Sequence, residues 1–162
     1  MSFNFSEENL IKSKEIIAKY PKERFKSAIM PLLDLAQRQN NNYISKDIIE
    51  HLSELLDLPV IHIYEVASFY SMYNLEPVGK YLIQVCGTTP CSLCGSKKII
   101  EDIEKYLKIN TNQTTKDNLF TLREVECLGA CVNAPMLQIN DDYYEKLDKK
   151  KVVEILKKLS NS

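Results

Sequence analysis

The sequence predicts an α+β protein: an N-terminal helical bundle over residues 1–76, then a domain with one mixed sheet over residues 77–162. Two observations carry this. Apolar residues recur at helical spacing up to Pro77, and after Pro77-Val78-Gly79 they shift to short β-branched and aromatic runs. The second half then reads β-α-β-β-β-α. Its leading strand–helix–strand requires a parallel pair if the crossover helix packs on the sheet.

Taken in order, Ser6 before Glu7 and Glu8 marks a first helix, with Leu10, Ile17 and Tyr20 near helical spacing until Pro21 stops it. Ser27 is placed to cap a second helix through Gln39, with Pro31 in its first turn. Asn40, Asn41 and Asn42 form a polar turn. Ser45 caps a third helix with Ile48, Ile49, Leu52, Leu55 and Leu56 on one face. Pro59 opens a fourth, carrying Ile63, Val66, Phe69, Tyr70 and Tyr73. Beyond Gly79, Tyr81 to Val85 reads as a strand ending at Cys86, Ser96 to Leu107 as a helix, and Leu119 to Glu126 as a second strand ending at Cys127. Met136 to Ile139 and Tyr143 to Glu145 flank a hairpin signal at Asn140-Asp141-Asp142, and Lys151 to Leu159 closes as an amphipathic helix. Lys108 to Asn118 reads as a loop.

Composition narrows the function classes. Of 162 residues, 44% are hydrophobic and 27% charged, which is globular and far from disorder. Lysine and arginine number 21 against 22 acids, so no basic excess recruits nucleic acid or anionic lipid. The start of the chain has no signal-peptide core, and no apolar stretch approaches the roughly 18 residues a span needs. An intracellular, reducing compartment is expected, where clustered cysteines are metal ligands or redox groups more often than disulfides.

The five cysteines carry the functional argument. Cys86-Gly87-Thr88-Thr89-Pro90-Cys91 and Cys127-Leu128-Gly129-Ala130-Cys131 are a C-x4-C and a C-x3-C, each just after a predicted strand. Four thiolates offered from two loops are what a [2Fe–2S] centre needs. Gly87 and Gly129 suit positive φ or close approach, and their N–H groups, with those of Thr88 and Ala130, are expected to face sulfur. Three other readings stay open. The cysteines are core filler; Cys91 and Cys94 join Cys127 and Cys131 around zinc; or Cys91 and Cys94 form a redox dithiol beside a βαβ unit. His51 is expected to be solvated and His62 to lie on a helix surface, neither with ligand spacing. Phe69-Tyr70-Ser71-Met72-Tyr73 reads as core or partner packing. No nucleotide-binding glycine motif and no catalytic triad stands out.

The stretch Glu126-Cys127-Leu128-Gly129-Ala130-Cys131-Val132-Asn133-Ala134-Pro135, with Gln138 to Glu145, closely resembles the family of the small [2Fe–2S] subunit of NADH-quinone oxidoreductase, respiratory complex I. Ala28 to Gln37, Val66 to Asn74 and Gly79 to Cys86 are similar to further segments of that family, so the likeness runs from about Ser13 to Leu159. The resemblance implies a thioredoxin-like [2Fe–2S] ferredoxin domain after a helical region, with Cys86, Cys91, Cys127 and Cys131 as the ligands of one cluster. It also implies a partner flavoprotein subunit that carries FMN and NADH, and a place in the peripheral arm of the complex. The membrane face would be the cytoplasmic one, or the matrix side in an organelle. The chain would serve an oxidoreductase without a substrate site of its own. Cys94 departs from the family pattern. A diaphorase subunit of an NAD-linked hydrogenase or formate dehydrogenase is the nearest alternative, and a zinc-stabilised structural module the alternative of another class.

Overall fold

Two serine caps start helices where the sequence places them. A computed structural model describes residues 3–161 of the chain. The Ser6 hydroxyl accepts from the Asn9 N–H at 3.3 Å to open α1 (Glu7–Ala18), and the Ser45 hydroxyl accepts from the Ile48 N–H at 3.4 Å to open α3 (Lys46–Leu56). Ser27 does not cap. Residues Lys22–Ala28 form a 3₁₀ segment kinked at Arg24, and α2 (Ile29–Gln39) follows directly from Ala28 without a side-chain cap. The first turn of α2 thus continues existing helical backbone and has fewer unpaired N–H groups to satisfy.

The chain divides into two compact units at Pro77 and Val78. In the first, Leu32, Leu33 and Ala36 of α2 pack with Ile48, Leu52 and Leu56 of α3 and with Ile63 and Ala67 of α4 (Val60–Phe69). α1 packs Ile16 and Ile17 against this core and is tied at its start by polar contacts. Gln39 accepts from the Ser6 N–H at 2.9 Å and the Asn9 amide at 2.8 Å, and donates to the Asn4 carbonyl at 2.8 Å. Leu10 stays exposed.

α4 stops at Phe69, earlier than the aromatic spacing predicts, because the next segment leaves the helix to make a buried polar network. Gln37 donates to the Met72 carbonyl at 3.1 Å and accepts from the Asn74 N–H at 2.7 Å, while the Asn74 carbonyl receives the Ile44 N–H at 2.7 Å. Buried amides survive only when paired in this way. Tyr73 is swung into the core, 5% exposed, and its hydroxyl donates to the Met30 carbonyl at 2.8 Å.

The second unit is built on a four-stranded sheet in the order β2-β1-β3-β4. β1 (Tyr81–Cys86) pairs parallel with β2 (Phe120–Val125) and antiparallel with β3 (Leu137–Ile139), which pairs antiparallel with β4 (Asp142–Tyr144). The short α5 (Thr89–Leu93) follows β1, and α6 (Ser96–Leu107) makes the crossover to β2. α7 (Lys149–Ser160) closes the chain, capped by the Asp148 carboxylate on the Lys151 N–H at 2.8 Å. Ile83, Val85, Leu122 and Ile139 form one core with Ile99, Ile103, Val152 and Leu156. The α+β class and the mixed sheet are those the sequence predicts. The 108–118 segment turns back on β2, with the Asn112 N–H on the Leu122 carbonyl at 2.7 Å and the Leu122 N–H on the Gln113 carbonyl at 3.1 Å. Gly79 marks a close approach. Its N–H donates to the Thr121 hydroxyl at 2.7 Å, and a Cβ there would lie 2.9 Å from the Leu119 and Phe120 backbone.

Burial, with the charges of Asp34 and Tyr70 adding to it, pushes the Tyr73 phenol up from 10.0 to about 12. The fold favours the neutral phenol, so the stability Tyr73 contributes is complete below pH 10.0 and is lost as pH rises through about 12. Tyr73→Phe should cost about 1 kcal/mol at neutral pH, by removing the phenol's hydrogen bond to the Met30 carbonyl. It should also flatten the alkaline fall in stability. Urea denaturation across that pH range checks both effects.

Candidate metal centre

Parallel pairing sets the site. Cys86 lies opposite Val125 in the β1–β2 register, so both strands end at the same edge and the loops that follow them meet there. Cys86 is the last residue of β1 and Cys91 lies in α5, both 1% exposed and packed with Met136. Cys127 lies two residues past β2, and Cys131 begins the 3₁₀ turn Cys131–Asn133; both are exposed.

The thiols come together two by two. Cys127 Sγ and Cys131 Sγ are 3.6 Å apart. Cys86 and Cys91 lie near enough for each to shift the other's protonation, and Cys131 interacts electrostatically with both. Among the described residues no three His, Cys, Asp or Glu side chains gather around a single-ion position. Two pairs of thiols at one end of a sheet fit a two-iron centre, which takes two thiolates on each iron.

The protonation pattern also divides by pairs. Burial pushes the Cys86 thiol up, but hydrogen bonds from the Thr88 hydroxyl, the Leu128 and Thr88 N–H groups and the Cys91 thiol outweigh it, so Cys86 ends below the ordinary thiol value. Burial and its bond to Cys86 push Cys91 up to about 11. The bond to Cys127 and that neighbour's charge raise Cys131. Metal binding to these thiols releases their protons.

Neighbouring groups brace the second loop. The Tyr143 hydroxyl donates to the Leu128 carbonyl at 2.7 Å, the Asn133 amide to the Glu145 carboxylate at 2.8 Å, and the Lys146 N–H to the Asn133 carbonyl at 2.8 Å. Gly129 takes φ 83° and directs its N–H at Cys127 Sγ, 3.4 Å away. That contact and the Thr88 N–H on Cys86 are ones the sequence anticipates. Gly87 differs: its N–H closes the parallel ladder on the Val125 carbonyl at 2.9 Å and does not face sulfur. The sequence gives no sign of the Leu128 N–H and the Thr88 hydroxyl on Cys86, since Leu128 reaches Cys86 only once the two loops meet.

Cys94 caps the exposed C-terminal end of α5, while Cys91 of the same short helix is buried. His62 is on the surface of α4, 3.2 Å from Lys26 and 3.3 Å from Glu65. His51 is not solvated as expected. Its ring packs edge-on against Phe3 and Phe5 at centroid distances of 5.5 and 5.3 Å, which lowers its pKa by burial against an opposing pull from Glu54.

A sheet that gathers two thiol pairs at the ends of parallel strands is a cluster-binding domain of the ferredoxin class. The family model for thioredoxin-like [2Fe–2S] ferredoxin matches residues 13–160, and the chain belongs to that family, whose cofactor is a [2Fe–2S] cluster. It is similar to an NADH-quinone oxidoreductase subunit of Rickettsia prowazekii (strain Madrid E), 53% identical over 160 residues that cover 99% of this chain and 90% of that one. It is 49% identical to the mitochondrial NADH dehydrogenase [ubiquinone] flavoprotein 2 of Dictyostelium discoideum, over 99% of this chain and 65% of that one. Among solved structures, an NAD+-reducing [NiFe]-hydrogenase in the H2-reduced state matches with a TM-score of 0.71 and 22% identity, covering 82% of this chain and 22% of that one. At that identity the likeness shows the fold.

Proposed function

We propose that Cys86, Cys91, Cys127 and Cys131 hold one [2Fe–2S] cluster, and that the chain is a one-electron carrier subunit of an NADH-quinone oxidoreductase. The observation that carries this is the two-by-two convergence of thiols at the shared edge of β1 and β2. The Rickettsia relative, alike over nearly the whole of both chains, supports the choice of complex. When bound, the cluster accepts and returns single electrons, which suits exchange with the FMN of a partner flavoprotein subunit that also binds NADH. The chain's own residues shape that exchange. Cys86 and Cys91 anchor one side in a buried wall with Met136, while Cys127 and Cys131 leave the other side open. Leu93 and Val132, 84% and 97% exposed, present apolar surface on the two cysteine loops.

The helical unit is a docking element in this reading. Val60, Ile61, Tyr64, Phe69 and Met72 are large apolar side chains left exposed on α4 and just beyond it, and none is near a thiol in sequence. Among the described residues no helix is long and apolar enough to cross a membrane. In the proposal the chain therefore reaches the membrane only through the complex, on the cytoplasmic or matrix side.

Protein purified without oxygen should hold about two irons and two sulfides per chain. Cys94→Ser should leave iron content and the reduced-state EPR signal near wild type, whereas Cys91→Ser should lose the cluster or change its spectrum. Stoichiometric zinc in place of iron, or loss of the cluster from Cys94→Ser alone, would count against the assignment. For docking, Phe69→Asp should weaken binding to the flavoprotein subunit by about tenfold or more, as truncating an apolar anchor does, with iron content unchanged. Wild-type affinity in a pull-down titration would rule the docking role out.

A further inference from the structure

We propose that the Thr88 hydroxyl is a positioning group that acts through Cys86, donating a hydrogen bond to its sulfur in the loaded protein and so raising the reduction potential of the centre. The inference rests on the ligand assignment above.

Thr88 Oγ1 lies 3.2 Å from Cys86 Sγ. A sulfur bound to iron is a thiolate and carries no hydrogen, so in the loaded protein only the hydroxyl can donate. The local sequence leaves the Thr88 side chain free to orient toward sulfur. Thr88 is the N-cap of α5, where a threonine oxygen ordinarily accepts from an N–H of the first turn. Here Pro90 occupies the second helical position and has no N–H, and the Thr88 side chain makes no capping bond. Thr88 is half-buried beside a cysteine that is 1% exposed, so water competes little for the hydroxyl and the bond is stronger than at a surface.

The electrostatic direction follows. Reduction adds one electron, and no bond to Thr88 forms or breaks. A hydroxyl hydrogen held against the ligand sulfur stabilises the added negative charge, which raises the potential. The Thr88 and Leu128 N–H groups at Cys86 belong to the backbone and remain in any side-chain variant. Replacing the side chain therefore isolates the hydroxyl.

The test uses the full chain purified without oxygen, as wild type, Thr88→Val and Thr88→Ser. Each is titrated with dithionite against redox mediators and followed by reduced-state EPR, with iron per chain measured alongside. Thr88→Val should hold wild-type iron and show a lower midpoint potential. Thr88→Ser, which keeps the hydroxyl, should return to the wild-type midpoint. A wild-type midpoint in iron-replete Thr88→Val overturns the proposal and leaves the ligand assignment standing. A wild-type chain that binds no iron overturns the ligand assignment and this proposal with it. Should Thr88→Val fail to hold the cluster, Thr88→Ala is titrated in its place. Loss of the cluster from both overturns the proposal, because the hydroxyl would then serve assembly and not potential.

Discussion

The parallel register of β1 on β2 is the constraint on which the site depends. Cys86 opposite Val125 brings two loops, distant in sequence, to the same edge of the sheet. That register needs the crossover helix α6, whose Ile99 and Ile103 pack with Ile83 and Leu122 in one core. It also needs Gly79, where the chain entering β1 passes too close to the backbone before β2 to admit a side chain. A slip of one residue would turn Ile83 and Val85 out of the core and take Cys86 away from the second loop. The loops that carry the thiol pairs are thus brought together by sheet packing.

The same geometry makes the two pairs unequal. Cys86 and Cys91 sit in the wall beside Met136, where burial and donated hydrogen bonds set their proton affinities against each other. Cys127 and Cys131 lie on a loop braced by Tyr143, Glu145 and Lys146 and are exposed. A carrier needs both conditions. In the proposed role, the buried wall would shield Cys86 and Cys91 from water, and the exposed side would shorten the distance to a redox partner.

Much of this is legible in the sequence because it rests on local signals. Ser6 and Ser45 cap as expected, and α6 spans Ser96–Leu107, the range its apolar spacing gives. The strands that end at the cysteines lie within a residue or two of their predicted limits. What is not legible depends on partners far along the chain. Ser27 reads as a cap, but a 3₁₀ segment already supplies the helical backbone ahead of α2. Tyr70 to Tyr73 continue the aromatic spacing of α4, yet Gln37 and Asn74 draw the segment into a polar network. His51 lies one turn from Ile48 and Leu55 in its own helix, but its cover comes from Phe3 and Phe5 in the N-terminal segment, which no local signal shows. Gly87 carries the look of a sulfur-binding turn, while its N–H is taken by the strand ladder. Cys94 forms a zinc-like C-x-x-C with Cys91 in the sequence, whereas α5 buries one of the two and exposes the other.

The central claim is that two thiol pairs hold two metals and not one. X-ray absorption at the iron edge of the anaerobically purified chain tests it most directly. The account predicts an all-sulfur first shell of four ligands per iron and one iron neighbour at short distance, with the all-sulfur shell lost or altered in Cys131→Ser and in Cys91→Ser. A metal with four sulfur ligands and no metal neighbour would contradict it, because a single tetrahedral ion would then be drawing the four thiols to one point.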